Sequence, residues 1–253
     1  MDILERRNWI GKRHPWETAR ADFVVSLLQE HLGYANRQKV LDIGCGDGYV
    51  LGNIMNSIGF TIGIGFDPEL DTDLMHQVME SNPGYILVNQ KSFLDGMRFD
   101  LVLLLDVLEH VDDDLDLLSN IVSDLAAPSG HLLITVPAFS SLFSPHDVFL
   151  NHRRRYNLEN LINIIDNCDL SVIRKGYFFF SPLLGRFTDV LWRKTRLFPE
   201  KFPNGVANWN HGTTLSQLLG GYLKLENKLM YRFSKMGMTI PGLSAYVLCQ
   251  KQP

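Results

Sequence analysis

Apolar residues recur with two different periods along this chain, and the alternation between them lays out a fold. Ala19, Phe23, Val24, Leu27, Leu28 and Leu32 fall at helical spacing, which predicts a helix over residues 15–33. Residues 40–43, 61–66, 85–88, 99–105 and 131–136 are short apolar runs of strand length. The run at 99–105 is nearly continuous, as in a strand buried on both faces of a parallel sheet. Helical patterns are predicted between the runs: one starting at Val50, Leu51, Ile54 and Met55, a second over 69–80, and a third over 112–127. The third places Leu115, Leu118, Ile121, Val122 and Leu125 on one face, before a turn at Pro128-Ser129-Gly130. Leu158, Leu161, Ile162 and Ile165 mark another helix. Five strand–helix alternations predict an α/β fold with a doubly wound, mostly parallel sheet. Two further strands are expected at 170–180 and 243–250. Between them come helices at 183–196 and 213–236 and a loop at 199–210.

The first strand runs into Val40-Leu41-Asp42-Ile43-Gly44-Cys45-Gly46-Asp47-Gly48-Tyr49. A strand, a glycine turn and a helix start make a nucleotide-sized crevice at the strand's carboxyl end. A dinucleotide-phosphate turn is spaced G-x-G-x-x-G. Here the glycines fall at Gly44, Gly46 and Gly48, with Asp42 before them and Asp47 among them. Carboxylates repel a phosphate in a cleft of low dielectric, and they suit a ligand carrying an ammonium, a sulfonium and hydroxyls. Asp67 ends the second strand about 20 positions beyond the turn, where a carboxylate accepts both hydroxyls of a ribose. Followed by Pro68, it also reads as a helix cap; the two uses are compatible.

Composition narrows the class. The chain has 253 residues, 45% hydrophobic and 21% charged, the balance of a soluble globular protein. That length suits one large domain with an elaboration. A net charge of −4 and a pI near 6.0 supply no global basic field for nucleic acid. Cys45, Cys168 and Cys249 are odd in number and far apart, which gives no disulfide framework and fits a reducing compartment. Residues 1–14 are polar and basic, expected to be irregular, and lack the apolar core of a signal peptide. No run of about 18 apolar residues occurs. The expectation is a cytoplasmic monomer or homodimer without a nucleic-acid partner.

Two later segments carry further chemistry. The strand at 99–105 leads straight into Asp106-Val107-Leu108-Glu109-His110-Val111. Polar groups at the end of a buried strand are costly to hide and are expected to face the crevice. After the fifth strand come His146-Asp147 and His152-Arg153-Arg154-Arg155-Tyr156, on a stretch that should lie over the same crevice. His146 and His152 are candidate bases, because imidazole titrates near neutrality, and Asp147 is placed to orient one of them. Arg154 and Arg155 are candidates to hold an anionic group on a substrate, with Tyr156 beside them. Each has a structural alternative: fixing the loop, clamping carbonyls, or packing. His14, Trp16 and Arg20, at the entry to the first helix, read either as a packing staple or as a flap over the site.

Together, D-x-G-x-G-x-G at 42–48, D-V-L-E-H-V at 106–111 and V-P-A…H-D…H-x-R-R-Y at 136–156 resemble the class I S-adenosylmethionine-dependent methyltransferases. Within that class they are similar to the ubiquinone-biosynthesis O-methyltransferase-like and methyltransferase type 11–12 group. The resemblance covers most of residues 14–160. It implies a Rossmann-like seven-stranded sheet with an antiparallel last strand beside the sixth. It implies S-adenosyl-L-methionine as cofactor and S-adenosyl-L-homocysteine as product, with contacts from Asp42, Gly44, Cys45, Gly46, Gly48, Asp67, Pro68, Asp106, Val107 and His110. The expected reaction is O-methylation of a small-molecule, glycan or lipid-linked acceptor. In some relatives an acidic-x-x-Glu-His set contributes to a divalent metal site, and Asp106, Glu109 and His110 are the matching positions. The preferred reading is that Glu109 and His110 brace the pocket and the next helix, with no metal. Other functions are a cofactor-binding scaffold without turnover, or a nucleotide-dependent oxidoreductase, which the glycine spacing disfavours. The methyltransferase domain is expected to comprise 1–180 and 242–253, with 1–35 as a cap. Residues 181–241 would then be a helical lid. Its helix at 183–196 mixes Leu184, Phe187 and Trp192 with Arg186, Arg193, Lys194 and Arg196, which suits either a lid or peripheral contact with anionic lipid.

Overall fold

In a computed structural model, which describes residues 13–32, 38–194, 209 and 211–252, the expected alternation is present. Helix α1 (Pro15–Leu32) precedes β1 (Lys39–Ile43), α2 (Tyr49–Ile58), β2 (Ile62–Phe66), α3 (Thr72–Ser81) and β3 (Ile86–Val88). Then come β4 (Phe99–Leu105), α4 (Asp114–Asp124), β5 (Ala126–Pro137), the short α5 (Pro145–Phe149) and α6 (Leu158–Ile165). The chain ends with β6 (Leu170–Phe178), α7 (Phe180–Lys194), α8 (Thr213–Lys235) and β7 (Ser244–Lys251). The seven strands form one sheet in the order β3-β2-β1-β4-β5-β7-β6. Strands β1 to β5 pair in parallel, and β7 lies antiparallel between β5 and β6. The strand order reverses between β1 and β4, so the switch-point crevice opens outside their carboxyl ends.

Side chains alternate across the sheet and feed two cores. Leu41, Leu104 and Leu132 pack with Leu118 of α4 and Leu161 of α6 on one face. Val40, Leu103 and Leu133 pack with Leu27 of α1, Ile54 of α2 and Leu223 of α8 on the other. With both faces covered, β4 needs the near-continuous apolar run seen in its sequence.

Several expected boundaries move, each for a local reason. Helix α3 starts at Thr72 rather than 69, because the Asp71 side chain accepts from the Leu74 amide at 2.7 Å and caps it. Asp113 caps α4 in the same way, accepting from the Asp116 amide at 2.9 Å. Leu115 then falls in the first turn of α4 and is 38% exposed, not on the buried face. The turn expected at 128–130 is instead an irregularity inside β5. Phe99 pairs with Ala126, Leu101 pairs with His131, and Ser129 takes a φ of 56° between them. Helix α7 begins at Phe180, earlier than expected. Its expected end at 196, residues 1–12 of the stretch expected to be irregular, the expected helix stop at Gly33 and all of the expected 199–210 loop except Trp209 lie outside the described residues.

Candidate active site

The glycine turn joins β1 to α2 with Gly44, Gly46 and Gly48 at φ 70°, 55° and 69°. A Cβ on Gly44 would come within 2.9 Å of Val107 Cγ2, so the turn and the segment after β4 are in direct contact. The turn hangs on Asp67. Its Oδ2 accepts from the Gly46 amide at 3.0 Å and its Oδ1 from the Glu69 amide at 3.0 Å. Each oxygen keeps acceptor capacity for a further donor. Asp42 is buried, and its Oδ1 has no hydrogen-bond partner among the described residues. Burial pushes its carboxyl up to about 7; Arg20 opposes the shift, and Asp67 and Asp47 add to it. Arg13 reaches the loop from ahead of α1, pairing with Asp47 at 2.5 Å and lying 3.8 Å over the Tyr49 ring.

Helix α1 also crosses the carboxyl ends of β4 and β5. Arg20 Nη1 lies 2.7 Å from Asp106 Oδ2, and its Nη2 donates to Thr135 Oγ1 at 3.0 Å. Thr135 donates in turn to Asp106 Oδ1 at 3.0 Å. Asp106 takes a φ of 60°, a left-handed backbone directly after β4. The 3-10 turn at Leu108–His110 carries Glu109, fully buried. Neither of its carboxyl oxygens meets a partner on another described residue. Burial and then the nearby Asp106 push this acid well above the usual carboxylate range.

The segment after β5 is built on Asp147, also fully buried. Its Oδ2 accepts from the Ser144 amide at 2.9 Å and the Ser144 hydroxyl at 3.0 Å. Its Oδ1 takes His152 Nδ1 at 3.0 Å and Arg155 Nε at 2.7 Å. Burial would raise this carboxyl, but His152 and Arg155 outweigh it and hold the group well below the usual range. Because a carboxylate only accepts, His152 Nδ1 donates to Asp147, and in the neutral imidazole Nε2 is then the acceptor. The His152 ring lies edge-on to His110 at 4.8 Å, and the Arg153 amide donates to the Glu109 carbonyl at 2.7 Å. His152 therefore sits beside the turn that follows β4. Donor atoms of Glu109, His110 and His152 lie within 4.8 Å of one another. A carboxylate and two imidazoles suit a divalent cation, which these three side chains would hold and which would supply positive charge to an acceptor oxygen. Asp106, expected in that set, is held by Arg20 and Thr135 instead.

A model of the methyltransferase domain matches residues 16–183. The chain belongs to the methyltransferase domain family. It is 24% identical over 128 residues to a ubiquinone biosynthesis O-methyltransferase of Rickettsia bellii, covering 49% of this chain and 52% of the relative. It thus spans about half the length of the curated relatives it matches. Its fold is similar to that of an S-adenosylmethionine-dependent methyltransferase from Archaeoglobus fulgidus (18% identity, TM-score 0.52, covering 91% and 94% of the two chains). It is also similar to the plantazolicin methyltransferase BpumL, solved with S-adenosylhomocysteine (15% identity, TM-score 0.55, 94% and 85% covered). The methyl donor of this methyltransferase domain is S-adenosyl-L-methionine, and the cradle suits it. The turn glycines admit close approach, the Asp42 oxygen without a partner among the described residues suits a cation or donor, and Asp67 has acceptor capacity for a diol.

The residues expected at the site divide into groups. Asp42, Cys45, Asp67 with Pro68, the three glycines and Val107 gather around the β1 turn; Asp106 and His110 follow β4. Arg20 reaches the strand ends. Trp16 packs edge-on to Phe179 at 6.4 Å, and the His14 ring lies 4.8 Å from Trp209. His146 stacks on Phe149 at 6.5 Å; burial and then Arg186 lower its pKa to about 4, which leaves it neutral but weakly basic. Three residues expected to meet substrate are turned onto the protein. Arg155 is buried against Asp147 and the Ala138 carbonyl. Arg154 bonds Asp114 and the carbonyls of Val111 and Asp112. The Tyr156 hydroxyl, with its single proton, lies 2.7 Å from Asp114 Oδ2 and 3.0 Å from the Leu108 carbonyl oxygen. Sequence reasoning missed Thr135, a hydroxyl among the apolar residues Leu132, Leu133, Ile134 and Val136, and Arg13. It also missed the Ser144-Pro145-His146-Asp147 helix start, whose Ser, Pro and acid at cap spacing were a legible signal.

Proposed function

We propose that this chain is an S-adenosylmethionine-dependent O-methyltransferase acting on a small-molecule, glycan or lipid-linked hydroxyl acceptor. The observation that carries the acceptor chemistry is His152. Its Nδ1 is held by a buried carboxylate, and the ring lies against the turn at the end of β4, next to the donor crevice. In-line displacement at the sulfonium methyl needs the acceptor's proton removed, and Nε2 of a His152 that holds no cation takes it. Asp147 fixes the tautomer and stabilises the imidazolium that results. Arg20 and Asp106 hold the helical cap to the strand ends and help exclude water. Most of the rate comes from holding acceptor and sulfonium in line. The residue set of the site within 42–48, 67–68 and 106–110 is proposed to seat the donor. Residues 181–241 form the proposed lid of the domain made by 1–180 and 242–253.

Release of S-adenosylhomocysteine is to be measured with a panel of phenols, glycosides and prenylated phenols, and with matched amines. Turnover is expected with at least one hydroxyl acceptor. His152→Gln should lower kcat by about 10²-fold or more while donor affinity stays within about twofold. Methylation of amines alone, or full activity in His152→Gln, contradicts the proposal.

A further inference from the structure

Helix α8 has two opposed faces. Gly220, Leu223, Asn227 and Met230 are buried toward α1 and the sheet. Leu215, Leu218, Tyr222, Leu225, Leu229 and Phe233 are all exposed, Leu218 to 68%. Their spacing of three and four residues confines them to an arc of about 80° on the far side of the helix. Helix α7 has no buried residue among those described, and it exposes Phe180, Leu184, Phe187 and Leu191 at the same spacing. Monomeric proteins rarely leave apolar stripes of this length uncovered. No helix among the described residues is long and apolar enough to cross a membrane.

Charge identifies what would cover this face. Residues 180–253 carry ten Lys and Arg against three Asp and Glu, a net +7, whereas residues 1–179 carry 14 against 25, a net −11. On α8 the cations Lys224, Lys228, Arg232 and Lys235 line one border of the apolar arc, at helical angles within about 80° of one another. Lys224 and Lys235 reach back to Asp22 and Glu30 of α1 at 2.9 and 2.6 Å. Lys228 and Arg232 make no ion pair among the described residues. An apolar stripe bordered by Lys and Arg is the pattern of a helix lying in an anionic lipid interface.

We propose that the α7–α8 face docks the protein on an anionic membrane surface. The apolar stripes enter the headgroup boundary, the Lys and Arg border meets lipid phosphates, and the acidic donor-binding portion stays in water. This goes beyond the proposed reaction and holds whichever acceptor is used.

The test is co-sedimentation of the full chain with vesicles of phosphatidylcholine alone and of phosphatidylcholine with phosphatidylglycerol. Binding is expected to the anionic vesicles, to weaken in high salt, and to fall about tenfold or more in Lys228→Glu/Arg232→Glu. Leu218→Asp/Leu225→Asp should abolish it, with S-adenosylhomocysteine affinity kept as the check on folding in both variants. No partition onto either vesicle overturns the proposal, as does salt-insensitive binding equal on both. So does a dimer, seen by light scattering, that the Leu variant dissociates while vesicles remain unbound; the face is then an interface between two copies.

Discussion

Among single residues, Asp42 gives the sharpest expectation, because its Oδ1 meets no partner among the described residues and its carboxyl is pushed up to about 7. The empty site therefore holds a proton there through much of the acid range. A sulfonium ligand favours the ionised form, so binding expels that proton. Donor affinity should rise as pH climbs from about 5 to about 7 and level off above. Calorimetry at pH 6 in two buffers of different ionisation enthalpy should show proton release, and Asp42→Asn should remove it. A pH-independent wild-type affinity contradicts this. The unliganded fold has the opposite preference. A carboxyl raised above its unfolded value contributes stability that is present below about pH 4 and lost as pH rises to about 7. Asp42 and Asp67 were legible in the sequence because an acid beside a glycine turn, or at a strand end, has few other uses. Arg155 and Tyr156 misled: a run of polar residues on a loop looks exposed, and only the fold reveals that a buried Asp147 and the Ala138 carbonyl needed Arg155 as donor.

Secondary elements were readable wherever a period ran long enough. Strands β1, β2 and β4 and helices α1 and α8 stand within a few residues of expectation, since apolar residues at spacings of two or of three and four select one face. Helix α5, with five residues, is too short for a period, and β5 hid its start because Pro128-Ser129-Gly130 locally spells a turn. The β1–α2 turn is the element on which the site depends. Gly44→Ala would place a Cβ in a left-handed backbone and against Val107. A loss of about 1–2 kcal/mol is expected, with a lower Tm and a smaller rise in Tm on adding S-adenosylhomocysteine. An unaltered Tm and an unaltered ligand shift would show that the turn tolerates a side chain and does not approach the donor closely.

Across the whole molecule, a doubly wound sheet places one crevice at its switch point, and the acidic residues Asp42, Asp67 and Asp106 lie at the strand ends that border it. The cap helix α1 spans that crevice, tying Asp47 through Arg13 and Asp106 through Arg20. Fold class and the glycine-turn crevice were thus legible from alternation and spacing. The proposed acceptor side was not, because it would be assembled from β4, β5 and the turns after them, which lie up to 46 positions apart in residues such as Asp106 and His152. Titration calorimetry of S-adenosylhomocysteine into the purified chain, with Asp67→Ala alongside, tests the donor crevice most directly. One molecule per chain should saturate the wild type, and Asp67→Ala should weaken it by about 1–3 kcal/mol, roughly 5- to 150-fold. A wild type that cannot be saturated, or a folded Asp67→Ala that binds as tightly, would contradict a methyl donor seated on the β1 turn.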